Sequence, residues 1–189
     1  MKIVAFAASN SRQSINKQLA TYAAGLMTSA DVDVLDLNDY EMPIFSEDSE
    51  RESGIPLAAN AFIERVGSAD ALVISYAEHN GSFSAAYKNI VDWASRATRN
   101  VFGNKPTLML ATSPGAGGGA SVLALAEKSA PYMGAEVIRT LSVPRFHEQF
   151  ESGGDLAEEA DTGLRLAAAV KDLEAAISIS ETADLSAVG

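Results

Sequence analysis

The sequence has no cysteine among its 189 residues. That excludes disulfides, thiolate metal sites, iron–sulfur clusters and a cysteine nucleophile, and it suits a reducing compartment. Histidine is nearly as scarce, with only His79 and His147, so a His-rich metal site is excluded and no metal is expected. Bases are few: 14 Lys and Arg stand against 25 Asp and Glu, a net charge of −11. A nucleic-acid binder needs a basic face, and little is present to build one. The same charge repels anionic membranes. Long apolar runs are missing too; none approaches the roughly 20 residues of a spanning helix. The run from Lys2 to Ala8 is short beside a secretory core of roughly 7–15 residues followed by a cleavage site. The chain is therefore read as cytoplasmic, with no nucleic acid and no membrane among its partners.

What is present is strongly patterned. Hydrophobic residues make up 47% and charged residues 21%, an ordinary globular balance. Short apolar runs at Lys2–Ala8, Val32–Leu37, Ala71–Tyr76, Thr107–Thr112 and Glu136–Val143 read as strands, most of them apolar on both pleat faces. Amphipathic stretches alternate with them. Ile15, Leu19, Tyr22, Ala23 and Leu26 recur at helical spacing behind Ser14, which stands where an N-cap would stand. Further helices are expected at Leu57–Val66, Ser84–Ala97, Ala120–Ala130 and Leu156–Ile177. Asn38–Pro56, polar and acidic with two prolines, reads as a long loop, and such loops are often functional. Glu148–Asp161 holds six acids and no base, and reads as a solvated loop and helix start.

Five strands alternating with five helices imply a doubly wound parallel sheet with helices on both faces. The flavodoxin-like order 2-1-3-4-5 suits five strands, and its ligand crevice lies at the carboxyl ends of strands 1 and 3. One domain over residues 1–178 is expected, with a frayed tail at 179–189.

In such a sheet the loops after strands 1, 3 and 4 converge on one edge. The first, Ser9-Asn10-Ser11-Arg12-Gln13-Ser14-Ile15-Asn16, opens a helix and carries three hydroxyls. It reads as an anion cradle for a phosphate monoester, or as a polar turn with Ser14 capping the helix. The second, Ala77-Glu78-His79-Asn80-Gly81-Ser82-Phe83, reads as a platform for the edge of a flat heterocycle, or as a turn built on Asn80-Gly81. The third has Gly at 115, 117, 118 and 119, which lets backbone approach a ligand closely. Ala120 follows Gly119, so no Walker A motif is completed; no G-x-G-x-x-G follows strand 1 and no G-x-S-x-G elbow occurs.

Taken together, the three loops resemble the NADPH-dependent FMN reductase family over roughly residues 2–143. The family's first motif, G-S-x-R-x-x-S-x-N-x-x-L-A, is met by Ser9, Ser14, Asn16, Leu19 and Ala20. Ala8 replaces its Gly, and Ser11 stands at its Arg position with Arg12 one place late. The second, P-E-Y-N-x-S-x-P-x-x-L-K-N-x-I-D-W, is met by Glu78, Asn80, Ser82, Lys88, Asn89, Asp92 and Trp93. Here His79 replaces Tyr, and Ala77 and Ser84 replace the prolines. The third, S-P-G-x-x-G-G, is met from Ser113 to Gly119.

The resemblance implies bound FMN, with NAD(P)H as co-substrate. Its phosphate would sit on Ser9, Ser11, Ser14, Ile15 and Asn16. The isoalloxazine edge would meet Glu78, His79, Asn80 and Gly81, with Ser82 and Phe83 nearby. Ser113, Pro114, Gly115 and Gly118 would flank the ring and ribityl chain. The flavin carries the hydride chemistry, so no residue is expected to be catalytic. A quinone, free flavin, azo compound or metal oxyanion would accept the electrons in a ping-pong cycle. A flavodoxin-type electron carrier without a nicotinamide substrate is the alternative, and a non-enzymatic binding module on the same fold is a third reading. The resemblance also implies a homodimer or homotetramer, with the face around Trp93 covering a second subunit or packing under a loop of its own chain.

Overall fold

The computed structural model describes residues 1–151, 156 and 161–187, with side chains as far as Ile179. Five strands, β1 (Lys2–Ala8), β2 (Asp31–Leu35), β3 (Ala71–Tyr76), β4 (Lys105–Thr112) and β5 (Ala135–Val143), form one sheet. All pair in parallel, in the expected order β2-β1-β3-β4-β5. Strands β1 and β3 are buried along nearly their whole length, as their apolar composition demands. The register sets Ala8 opposite Tyr76, and Tyr76 opposite Ala111. The carboxyl ends of β1, β3 and β4 therefore finish at one level, and the three loops leave from there side by side.

The helices are α1 (Ile15–Gly25), α2 (Glu47–Ser53), α3 (Leu57–Gly67), α4 (Ala85–Ala97), α5 (Ala120–Ser129), α6 (Phe146–Gln149) and α7 (Asp161–Ala187). Leu19, Ala20 and Ala23 of α1 pack with Leu166, Val170 and Leu173 of α7 on one face of the sheet. Phe62 and Val66 of α3, Tyr87 and Ile90 of α4 and Val122 of α5 cover the other. Among the described residues no helix is long and apolar enough to cross a membrane.

Three sequence expectations need correction. Strand β2 stops at Leu35, because Asp36 caps a 3-10 turn over Leu37–Tyr40 by accepting from the Asn38 N–H at 2.9 Å. The stretch read as a long loop, Asn38–Pro56, holds that turn and also α2. Helix α2 buries no residue, so it has no apolar stripe to betray it. It is held instead by the Ser46 cap, by Glu47, Asp48 and Glu50 in its first turn, and by a 2.9 Å Glu50–Arg96 ion pair. The last helix begins at Asp161 and runs through Ala187, not over Leu156–Ile177. Leu156, the expected start, instead bridges Phe150, and the rest of the expected first turn, 157–160, lies outside the described residues.

For Trp93 the second of the two readings holds, packing under a loop of its own chain. It is 1% exposed within its own chain. Its indole N–H donates to the Pro43 carbonyl at 2.7 Å, and Phe45 packs edge-on against it at 5.0 Å. Asn89 secures the same segment, accepting from Phe45 N at 2.8 Å and donating to Pro43 O at 3.0 Å. The motif residues Asn89 and Trp93 thus anchor the segment leading to α2. Trp93 has no face left for a second subunit.

Asp36 joins this segment to α1. Its carboxylate takes a 2.7 Å ion pair from Lys17, which holds its pKa down at about 2; the Asn38 backbone bond adds to that. A carboxyl depressed in the fold stabilises above its ordinary value of 3.8 and loses that contribution as pH falls through about 2. Both side chains are about a third exposed, 36% and 34%, so screening leaves about 1 kcal/mol. Asp36→Asn retains a good cap and removes the charge. Its unfolding free energy is expected to depend less on pH between 4 and 2 than the wild type's, by about that amount. Parallel curves in urea titrations across this range would refute the assignment.

Candidate functional site

The first loop turns tightly into α1. Ser9 Oγ accepts from the Ser11 N–H at 3.1 Å, and Ser14 Oγ accepts from the Lys17 N–H at 3.2 Å. Ser14 is therefore the N-cap its position suggested. Each hydroxyl accepts within the loop, which leaves its own proton available to donate. Ser9 and Ser14 are buried and Ser11 is exposed. The backbone N–H groups of Ile15 and Asn16 belong to the first turn of α1, where a helix has no carbonyl to offer them. Arg12 is exposed and forms no ion pair among the described residues.

Asn16 divides its functions between two directions. The residue is only 3% exposed, and its carboxamide points into the fold. It donates to Thr112 O at 3.2 Å and accepts from Thr112 N at 3.1 Å and from Ser75 Oγ at 2.7 Å. Its side chain thus locks the first loop to the ends of β3 and β4, and only its backbone N–H faces the cradle.

The second loop is a two-residue hairpin. His79 and Ser82 exchange backbone bonds of 2.9 and 3.1 Å around Asn80 and Gly81, whose φ values are 52° and 75°. Two positive φ angles make a type I′ turn, which Asn-Gly favours. The hairpin is exposed, His79 included. Beneath it Phe83, Tyr76 and Tyr87 pack ring against ring at 5.1–5.9 Å. Burial pushes both tyrosine phenols up, so they stay neutral. Ser84, standing where the resembled motif has proline, caps α4 and donates to Ala8 O at 2.8 Å, tying the second loop to the first.

The third loop is tied to its neighbours as well. Gly115 O accepts from Arg145 N at 2.9 Å and Ser113 O from Phe146 N at 3.0 Å, so the loop after β5 backs it. Ser142 Oγ donates to Gly118 O at 3.0 Å. Glu78 Oε2 accepts from Val122 N at 3.1 Å, joining the second loop to the start of α5. Gly118 is buried, whereas Pro114 and Gly115 are exposed. No atom lies within 4 Å of where a Cβ on Gly115 or Gly117 would stand.

The structure thus brings all fifteen expected residues to one edge of the sheet, on three mutually bonded loops. Sequence reasoning missed an adjoining feature. A cavity of about 410 Å³ opens beside Asn10, between the segment Leu37–Pro43 and the Ala86, Asn89 and Ile90 side of α4. The polar composition of that segment and its closing Pro43 were the available signal.

The donor set suits FMN. Hydroxyl and helix-start donors can hold a phosphate monoester, and the open space above Gly115 and Gly117 can admit a ring edge-on to the hairpin. Known proteins agree. The chain is 38% identical over 118 residues to a 2-hydroxy-1,4-benzoquinone reductase of a Burkholderia species, an alignment spanning 61% of this chain and 62% of that protein. It is 31% identical over 138 residues to an NADPH:quinone oxidoreductase of Arabidopsis thaliana, spanning 71% and 69%. In structure it is similar to a flavoenzyme NAD(P)H:(acceptor) oxidoreductase of Paracoccus denitrificans, with a TM-score of 0.75, 23% identity and coverage of 94% and 97%. The sequence model for NADPH-dependent FMN reductase matches residues 1–148, which include every loop described above. Fold, loop chemistry and sequence converge, and the chain belongs to the NADPH-dependent FMN reductase family.

Proposed function

We propose that this protein is an FMN-dependent NAD(P)H oxidoreductase that works by a ping-pong cycle and reduces a quinone, with flavin, azo compounds or metal oxyanions as further acceptors. The observation that carries this reading is the convergence of three bonded loops on the carboxyl edge of β1, β3 and β4. Bound FMN would supply the hydride chemistry. The protein's own part is binding and exclusion. Ser9, Ser11 and Ser14 hydroxyls and the Ile15 and Asn16 N–H groups hold the phosphate. The backbone of His79–Ser82 and of Ser113–Gly115 would hold the ring, with Phe83 nearby and Gly118 tied to Ser142. No side-chain acid or base is needed, and His79, exposed on the hairpin, contributes through its backbone.

Quinone is favoured as acceptor because the two relatives above carry quinones in their names. A cytoplasmic homodimer or homotetramer belongs to the same proposal. The exposed Ile44 and Leu57, at 85% and 86%, give a second subunit apolar surface to cover, in place of Trp93.

The experiment is anaerobic addition of NADH or NADPH to the FMN-loaded protein. Bleaching of the flavin absorbance within seconds, followed by recovery on adding a benzoquinone, is expected. The net charge of −11 would also suit a flavodoxin-type carrier. Flavin that stays yellow with both nucleotides yet accepts electrons from dithionite would favour the carrier and reject the reductase.

A further inference from the structure

Helix α5 lacks a cap of its own. Its N-cap residue is Gly119, held at φ 73° with no side chain to accept from the first turn. The usual capping residues Ser, Thr, Asp and Asn are shut out there. A Cβ at Gly119 would stand 2.9 Å from the Ala111 Cβ on β4, closer than two carbons can pack. The missing acceptor arrives from elsewhere in the chain. Glu78 Oε2 takes the Val122 N–H at 3.1 Å across 44 residues of sequence. A carboxylate at the positive end of a helix makes a charge-assisted bond.

We propose that Glu78 is a positioning residue: it caps α5 from the second loop and thereby fixes the His79–Ser82 hairpin against the glycine-rich loop. This rests on the flavin-binding reading above and changes the role of Glu78 within it, from a contact of the ring edge to a brace between the two loops that receive the ring. The hairpin closes on itself through two backbone bonds, which set its shape but not its place. Ser84 fixes its far end through Ala8, and Glu78 fixes its near end through Val122. Without the brace, the two walls of the ring site move independently, while the phosphate cradle on the first loop keeps its own bonds to Thr112 and Ser75.

Three variants separate the causes. Glu78→Gln keeps an acceptor at the same reach and loses the charge. Glu78→Asp keeps the charge and falls one methylene short. Glu78→Ala loses both. Riboflavin and FMN are titrated separately into flavin-free protein, and hydrogen exchange at the start of α5 is followed without flavin. Glu78→Ala and Glu78→Asp are expected to weaken both flavins by the same factor, roughly 10–100-fold, because the ring site loosens and the phosphate cradle does not. Glu78→Gln is expected to stay within about threefold of wild type, and Val122 exchange to rise in Glu78→Ala and Glu78→Asp only. Unchanged riboflavin affinity in Glu78→Asp and Glu78→Ala, with wild type binding normally, overturns the positioning role and leaves the flavin-site reading intact. If Glu78→Ala does not fold, Asp against Gln still decides. Wild-type protein that binds neither flavin overturns the reading and the proposal together.

Discussion

Gly118→Ala is expected to destabilise the fold by about 2–5 kcal/mol, a fall in melting temperature of roughly 4–20 °C for a chain of this size. Two causes add. Gly118 sits at φ 58°, in the left-handed region where a side chain is strained. A Cβ there would lie 2.3 Å from Ser142 Oγ and 2.9 Å from the Pro144 backbone nitrogen. The hydroxyl can rotate away, at the cost of its bond to Gly118 O, but the proline backbone cannot. Gly115→Ala is the control on the same loop. Nothing lies within 4 Å of its would-be Cβ, so its melting temperature without flavin should match wild type. If the open space is filled by the ring or ribityl chain, Gly115→Ala should lose about tenfold or more in FMN affinity while folding normally. Thermal melts of the flavin-free proteins and a fluorescence titration with FMN give both numbers. A Gly118→Ala protein as stable as wild type would show that the loop yields, and equal FMN affinity in Gly115→Ala would place the flavin elsewhere.

The contrast between these two glycines shows where sequence reading stops. A run of glycines says that backbone can come close to something, not to what. At Gly118 the neighbour is the protein's own Pro144, while at Gly115 it is open space. The strands and their order were legible because a buried parallel sheet leaves continuous apolar runs, and β3 spans the expected Ala71–Tyr76. The hairpin was legible because Asn80-Gly81 carries its own turn chemistry. Helix α2 was not, since a helix that buries nothing leaves no periodicity. Least legible were the bonds between loops. Asn16 to Thr112, Ser84 to Ala8 and Glu78 to Val122 join residues 96, 76 and 44 positions apart. No local pattern encodes such pairs. Motif resemblance marked Asn16 and Glu78 as important and set both at the ligand, without saying what their side chains do. The structure turns the Asn16 carboxamide inward and spends one Glu78 oxygen on a helix.

That inward turn makes Asn16 the most sensitive residue of the first loop. Its carboxamide satisfies both backbone groups of Thr112 and the Ser75 hydroxyl, all buried. Asn16→Ala would leave the Thr112 N–H and C=O without partners beneath the glycine loop. Lost bonds and stranded groups together are expected to cost about 3–5 kcal/mol, or roughly 6–20 °C in melting temperature. Asn16→Asp should be no milder. One of its oxygens would keep the Thr112 N–H and Ser75 bonds, but the other would face the Thr112 carbonyl, acceptor against acceptor, with a buried charge added. A residue whose side chain merely touched phosphate would behave in the opposite way. Its loss would leave the flavin-free protein stable, Asn16→Asp would be harmed by repulsion only when FMN is present, and riboflavin would bind both variants normally. Thermal unfolding without flavin therefore decides between the two roles. A shift below about 2 °C in Asn16→Ala would assign the carboxamide to the phosphate site and remove its role in holding β1, β3 and β4 together at the edge where the three loops begin.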